Sequence, residues 1–146
     1  MIKRSFSTLG GVMVLLIVDR LIKQGAVTQP IKTIGQSFFS FGFSLNSQGI
    51  FSLPLSNWWL VIFNLLIIVG LLVGLLKIWP LDRTWLTAGL LFLLVGGLSN
   101  FYDRLFWAGV VDYWHWFNFF SFNLADVYLI IGLSCLLRGI KQPYGS

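Results

Sequence analysis

The chain has 146 residues, of which 57% are hydrophobic, 17% aromatic and only 10% charged, and its mean hydropathy is +0.83. Soluble domains carry about 25% charged residues, so this composition excludes a water-soluble globule and leaves a one-domain integral membrane protein. The net charge is +5, but the basic residues are scattered singly, so we expect no nucleic-acid partner.

Four apolar segments predict four transmembrane helices, at about residues 6–23, 58–79, 84–104 and 122–139. A helix of about 19 residues is about 28 Å long, close to the hydrocarbon thickness of about 30 Å. The first segment follows Lys3 and Arg4 as in a signal peptide, but Asp19 and Arg20 come after it rather than a small-x-small cleavage site. We therefore expect it to be retained, and the predicted fold class is an all-α membrane protein.

The basic residues predict the orientation of these helices. Six lie on one side and four on the other: Lys3, Arg4, Lys77, Arg83, Arg138 and Lys141 against Arg20, Lys23, Lys32 and Arg104. Because basic loops stay in the cytoplasm, both termini are expected there, with outer segments 24–57 and 105–121. In the first outer segment Phe39, Phe41 and Phe43 alternate with Ser and Gly, which predicts a strand in a small extracytoplasmic β-sheet that rests on the membrane.

All five acidic residues are Asp, and four of them map to the outer side: Asp19, Asp103, Asp112 and Asp126. Because an Asp in mid-membrane costs about 2.5–3.5 kcal/mol, each placement needs a reason. Asp19 lies one helical turn from Lys23 and can pair with it. Asn123 and Asp126 fit a helix N-cap followed by an acid three positions later. Asp112, in an apolar and aromatic stretch, has no such explanation, and burial there raises its pKa.

If two of these carboxylates face each other, they share one proton and can perform aspartic-protease chemistry. The residues alone leave alternatives open: a small proton-coupled transporter using the same Asp residues as relay sites, or a non-catalytic anchoring protein. A catalytic pair of Lys23 with a serine such as Ser52 is a further alternative, but no motif in the sequence supports it. One histidine, His115, and one cysteine, Cys135, cannot supply the three ligands of a zinc site, so no metal and no cofactor are expected.

Four short motifs follow in order along this chain. They are Asp-x-x-x-Lys at 19–23, Gly-x-x-Asn-x-x-Asp-Arg at 97–104, Val-Val-Asp-Tyr at 110–113 and Phe-Asn-x-Ala-Asp at 122–126. In this order they resemble the lipoprotein signal peptidase (signal peptidase II) family of bacterial four-helix membrane aspartic proteases. A fifth family motif, Asn-x-Gly-Ala-Ala-Phe, departs here: residues 46–51 have Gln48 and Ile50 where small residues are usual. In the family that segment borders the substrate, so the resemblance does not fix the pocket shape there.

The resemblance implies a catalytic pair of Asp112 and Asp126. It also implies that five residues bind substrate or support the site and two support the structure: Asn46, Asn100, Asp103, Arg104 and Asn123, then Asp19 and Lys23. The implied activity is an aspartic endopeptidase that removes the signal peptide from diacylglyceryl-modified prolipoproteins, cleaving before the lipidated cysteine. The expected partners are the lipidated prolipoprotein and membrane lipids. The expected state is a monomer in the bacterial cell (inner) membrane, with its active site at the extracytoplasmic face.

Overall fold

A computed structural model describes residues 2–28, 32–33, 38–47, 56–117 and 120–141. The helices are α1 (Ile2–Thr28), α2 (Asn57–Ile78), α3 (Thr84–Trp107) and α4 (Leu124–Lys141). The strands are β1 (Lys32–Thr33), β2 (Phe39–Asn46), β3 (Val110–Trp116) and β4 (Phe120–Phe122). Each predicted apolar segment coincides with a helix, and α1 continues past residue 23 to Thr28.

Two helical stretches among the described residues are long and apolar enough to cross a membrane. They are Asn57–Leu81, which joins α2 to the 3₁₀ turn Trp79–Leu81, and Thr84–Trp107. Large apolar side chains cover the outside of α2, and Trp58 and Leu76 are 72% and 75% exposed. A surface this apolar suits lipid rather than water. That α1 and α4 also cross the membrane stays a prediction.

Helix α3 is the centre of the fold and packs against α1, α2, α4 and β3. It begins after a turn in which Asp82 has a φ of 53°, and it ends where Ala108 has a φ of 55°. Such left-handed residues stop a helix because they turn the chain away from its axis. The turn at Ala108 leads directly into β3, so the end of α3 sets where that strand begins.

Helices α3 and α4 approach so closely that side chains do not fit between them at two levels. A Cβ atom on Gly96 would lie 2.6 Å from the carbonyl oxygen of Ala125, and one on Gly89 would lie 2.8 Å from that of Gly132. Backbone therefore packs directly on backbone. This contact fixes the start of α4 relative to the end of α3, which is where the polar residues of both helices lie.

The strands form an antiparallel sheet in the order β1-β2-β3-β4. The predicted strand at Phe39, Phe41 and Phe43 is confirmed as β2, and Gly42 is the one buried residue of that fully described strand. The register with β3 shifts between Phe41 and Ser44, which interrupts the alternation. The position of the sheet relative to the membrane stays a prediction.

Strand β3 lies within the predicted outer segment 105–121, where the sequence did not predict a strand. Its residues are mainly β-branched and aromatic, which favours a strand. It pairs with β2 along most of its length, with Asp112 opposite Ser44 and Val110 opposite Asn46. Asp112 is therefore held on a hydrogen-bonded strand rather than in a loop.

Candidate active site

The predicted catalytic and supporting residues come together where the end of α3, strand β3 and the start of α4 meet. Asn123 connects the two carboxylates. Its side chain donates to Asp112 through Nδ2 (2.8 Å to Oδ1), and its Oδ1 accepts from the backbone N–H of Asp126 at 3.0 Å. The backbone N–H of Asn123 in turn donates to Asp126 Oδ2 at 3.1 Å. One asparagine thus contacts both acidic residues.

The bonds between Asn123 and Asp126 are reciprocal and form a capping box at the start of α4. The N-cap predicted for these residues is confirmed. A capping box holds the side chain three positions after the N-cap over the first turn of the helix. Asp126 therefore has a fixed position before any substrate binds. Asp126 therefore both caps α4 and belongs to the polar cluster.

Asn100 contacts Asp126 from the side of α3. Its Nδ2 donates to Asp126 Oδ1 at 3.0 Å, while its Oδ1 accepts from Lys23 Nζ at 2.9 Å and from Asn123 Nδ2 at 3.4 Å. Its amide therefore bridges the cation on α1 and the carboxylate on α4.

Asp112 is almost fully buried, with 1% of its surface exposed. Burial raises its pKa, as the sequence predicted, and hydrogen bonds from three polar side chains oppose that rise only in part. Those bonds come from Asn123, from Ser121 Oγ at 3.1 Å and from Asn46 Nδ2 at 3.4 Å. Asp112 therefore keeps its proton to a higher pH than an exposed Asp does.

Arg104 lies at the end of α3, and its guanidinium interacts electrostatically with Asp112, Asp103 and Asp126. Its backbone carbonyl accepts a hydrogen bond from Asn57 Nδ2 at 2.9 Å, which ties the start of α2 to the end of α3. The arrangement brings one positive charge to the two predicted catalytic carboxylates.

A buried network of two anions and two cations lies beside this cluster. Lys23 Nζ is 2.7 Å from Asp103 Oδ2 and 3.3 Å from Asp19 Oδ2, and Arg20 donates to Asp103 Oδ1 at 2.7 Å. The predicted pairing of Asp19 with Lys23 is confirmed, and Asp103 is the second anion that shares Lys23. Because the opposite charges balance, the network satisfies side chains that could not otherwise be buried.

The network also holds the backbone next to each predicted catalytic residue. Asp103 Oδ2 accepts from the N–H of Val111 at 3.1 Å, and Asp19 Oδ1 accepts from the N–H of Ala125 at 3.2 Å. Ser99 donates to Asp19 and accepts from Lys23. Asp103, which was expected to shape the pocket with Arg104, lies in the ion-pair network and bonds the residue before Asp112.

Several contacts were missed by sequence reasoning. Ser121 donates to Asp112, Arg20 pairs with Asp103, and the hydroxyl of Tyr113 accepts from the N–H of Leu124 at 2.8 Å. No sequence signal singled out Ser121, because an isolated serine in an aromatic stretch has no local partner. Gln48, Ile50 and Ser52 lie outside the described residues.

Comparison with known sequences gives consistent matches. A family model described as signal peptidase (SPase) II, peptidase A8, matches residues 11–140. The lipoprotein signal peptidase of Streptococcus pneumoniae is 32% identical over 138 residues, which is 86% of this chain and 86% of the relative. That of Streptococcus agalactiae is 33% identical over 131 residues, covering 86% and 85% of the two chains.

Comparison with solved structures gives the same fold. One bacterial membrane enzyme, solved by the in meso method at 2.3 Å, superposes with a TM-score of 0.75 at 20% identity and covers 92% of this chain and 87% of its own. A second, solved at 1.9 Å, has a TM-score of 0.72 at 19% identity and covers 93% of both chains. At these identities the likeness concerns the fold alone.

Proposed function

This chain belongs to the signal peptidase II family, and we propose from that premise that Asp112 and Asp126 are its catalytic pair. Family membership makes the protein a bacterial membrane protease that acts on prolipoproteins. We propose that it is of the aspartic type and cleaves before a diacylglyceryl-modified cysteine. One observation carries the proposal: Asn123 hydrogen-bonds both carboxylates, which come from separate elements of the chain.

Two carboxylates in one polar cluster favour a singly protonated pair, because like charges at close range oppose double ionisation. The burial of Asp112, which raises its pKa, supports the same state. Arg104 interacts electrostatically with both carboxylates and so offsets the negative charge of a singly ionised pair. A singly protonated pair holds one base and one acid, which are the two groups that peptide hydrolysis by water requires.

In the proposed reaction the ionised carboxylate takes a proton from water while the water oxygen attacks the scissile carbonyl carbon. The protonated carboxyl gives its proton to the carbonyl oxygen, which forms a neutral gem-diol. The carbon–nitrogen bond then breaks as the first carboxyl gives its new proton to the leaving nitrogen. A hydroxyl proton of the gem-diol returns to the second carboxylate, so the pair ends as it began and one water is consumed.

The remaining predicted site residues act through position in this proposal. Asn100 and Asn123 orient the pair through the hydrogen bonds described above, and Asn46 contacts Asp112 from β2. Asp19 and Lys23 hold the backbone and amides behind them. Lys23 is engaged by two carboxylates, which disfavours the alternative in which it activates a serine.

We further propose one domain, 1–146, whose four helices all cross the membrane at about residues 6–23, 58–79, 84–104 and 122–139. Segments 24–57 and 105–121 then lie outside and both termini lie in the cytoplasm. The pair would meet a cleavage site that the substrate's own apolar helix and lipid chains hold at the same depth. Such an encounter needs only a monomer and surrounding lipid. A transporter would require its carboxylates in helix interiors, whereas Asp112 lies on a strand.

The test uses purified protein in detergent with a lipidated prolipoprotein, followed by the appearance of the shortened product. Asp112→Asn and Asp126→Asn are each expected to lower the rate at least about 10²-fold, because each removes an acid or base. Asp82→Asn is the matched control, since Asp82 is exposed in the turn before α3. A precursor without the diacylglyceryl group should be a poor substrate. Wild-type rates in either dyad variant would end the proposal.

A further inference from the structure

The hydrogen bonds around the catalytic pair distinguish its two members. The distinction begins with Asn100, whose Oδ1 faces Lys23 Nζ at 2.9 Å. An ammonium group can only donate, so the amide oxygen must be the atom that faces it. The NH₂ group of Asn100 is therefore directed at Asp126 Oδ1, 3.0 Å away. The cation on α1 fixes this orientation and prevents the amide from turning its oxygen toward the carboxyl.

Asn123 is oriented by the same reasoning. Its side-chain oxygen faces the backbone N–H of Asp126, which can only donate. Its NH₂ group is then directed at Asp112 Oδ1 at 2.8 Å and, more distantly, at Asn100 Oδ1. The orientations of the two side-chain amides are therefore consistent with each other. Rotating either amide by 180° would place two donors or two acceptors face to face.

These orientations leave Asp126 with the environment of an ionised carboxylate. Its Oδ1 receives the fixed NH₂ of Asn100, and its Oδ2 receives the backbone N–H of Asn123. Both are donors that cannot become acceptors. A proton on either oxygen would weaken the bond that this oxygen accepts. The position in the first turn of α4 favours a negative charge as well.

Asp112 differs at one oxygen. Oδ1 receives the fixed NH₂ of Asn123, whereas Oδ2 lies 3.1 Å from the hydroxyl of Ser121 and a longer 3.4 Å from Nδ2 of Asn46. A serine hydroxyl can donate to an ionised carboxylate or rotate and accept from a protonated one. The charged groups that act on Asp112 are Lys23, Arg104 and Asp126.

We propose that the resting proton of the pair is on Asp112 Oδ2, where it is hydrogen-bonded to Ser121, and that Asp126 is the general base. This rests on the proposed function. Asp112 then donates its proton to the scissile carbonyl oxygen, and Asp126 receives the proton of the attacking water. Ser121 is a positioning residue: it holds the acidic proton until the substrate carbonyl replaces the hydroxyl as acceptor.

The test is infrared spectroscopy of the full-length protein in detergent at the pH of maximal activity. The C=O stretching band of a protonated carboxyl is assignable here because the five Asp residues are the only side-chain carboxyls. Ser121→Ala should shift this band in a protein whose pair is intact, since the O–H loses its acceptor, and Ser121→Thr should restore it. Ser134→Ala, whose hydroxyl bonds only locally to Ile130 on α4, is the control and should leave the band unchanged.

A band that does not respond to Ser121→Ala, or the absence of any protonated-carboxyl band, would overturn the inference. So would a band that persists in Asp112→Asn, because the proton would then be on Asp126. Cleavage by Ser121→Ala should fall by only about two- to tenfold, the worth of one hydrogen bond. The cleavage assay with the two dyad variants tests the proposed function separately, because activity can depend on both residues wherever the proton rests.

Discussion

Gly96→Ala is expected to lower cleavage activity about five- to tenfold while the protein still folds. The added Cβ would lie 2.6 Å from Ala125 O, and such contacts are essentially never shorter than 3.0 Å, so α4 must move by at least about 0.4 Å. Ala125 precedes Asp126, so the 3.0 Å bond from Asn100 to Asp126 would lengthen to about 3.4 Å. A 1 Å misplacement costs about 10²-fold in rate, and 0.4 Å costs correspondingly less.

The stability effect of Gly96→Ala is expected to be small. Overpacking costs about 1–3 kcal/mol, and replacing a glycine inside a helix returns about 1 kcal/mol, so the net loss is about 0–2 kcal/mol. Thermal unfolding in detergent measures it, and cleavage of a lipidated precursor measures the rate. Gly97→Ala is the matched control, because its nearest neighbour, Ile68 Cγ1, would be at an ordinary 3.6 Å. Equal activity of the two variants would refute the reasoning.

Three further outcomes are expected. Lys23→Met leaves two buried carboxylates without their shared cation, and thermal unfolding should show a loss of about 3–5 kcal/mol; a near wild-type midpoint would contradict the pairing. Tyr113→Phe removes the acceptor for the N–H of Leu124 and should cost about 1–3 kcal/mol in the same assay, whereas no loss would mean that the N–H finds another acceptor. Burial raises the pKa of Asp112, so ionisation of this buried carboxyl destabilises the fold above the raised pKa and has no effect below the ordinary pKa of an Asp. The unfolding midpoint of Asp112→Asn should therefore rise relative to that of the wild type as pH increases. A difference between the two midpoints that does not change with pH would argue against the raised pKa.

The parts of the fold that depend on neighbours along the chain were predictable from sequence. The apolar runs gave the four helices, and the alternating Phe39, Phe41 and Phe43 gave β2. The capping box of Asn123 and Asp126 spans three residues, and the pair of Asp19 and Lys23 spans one helical turn. In each case both partners lie within reach of one another whatever the rest of the chain does.

Contacts between distant segments were not predictable in this way. Arg20 pairs with Asp103 although 83 positions separate them, and β3 pairs with β2 across more than 60 positions of sequence. Nothing in the local sequence selects between such partners, because the choice depends on how α1 and α3 pack. The contact between Lys23 and Asp103 is of the same kind: spacing along the chain predicts Asp19 as the partner of Lys23, and the fold adds Asp103 as a second anion.

The backbone contact between α3 and α4 determines which parts of the molecule can yield to a bulky substrate. With Gly89 against Gly132 and Gly96 against Ala125, neither helix can rotate or slide without its main chain colliding with that of the other. The two helices therefore move as one rigid body that carries Asn100 and Asp126 together. Room for a prolipoprotein substrate would then come from displacement of elements outside this pair, such as α1 or the strands.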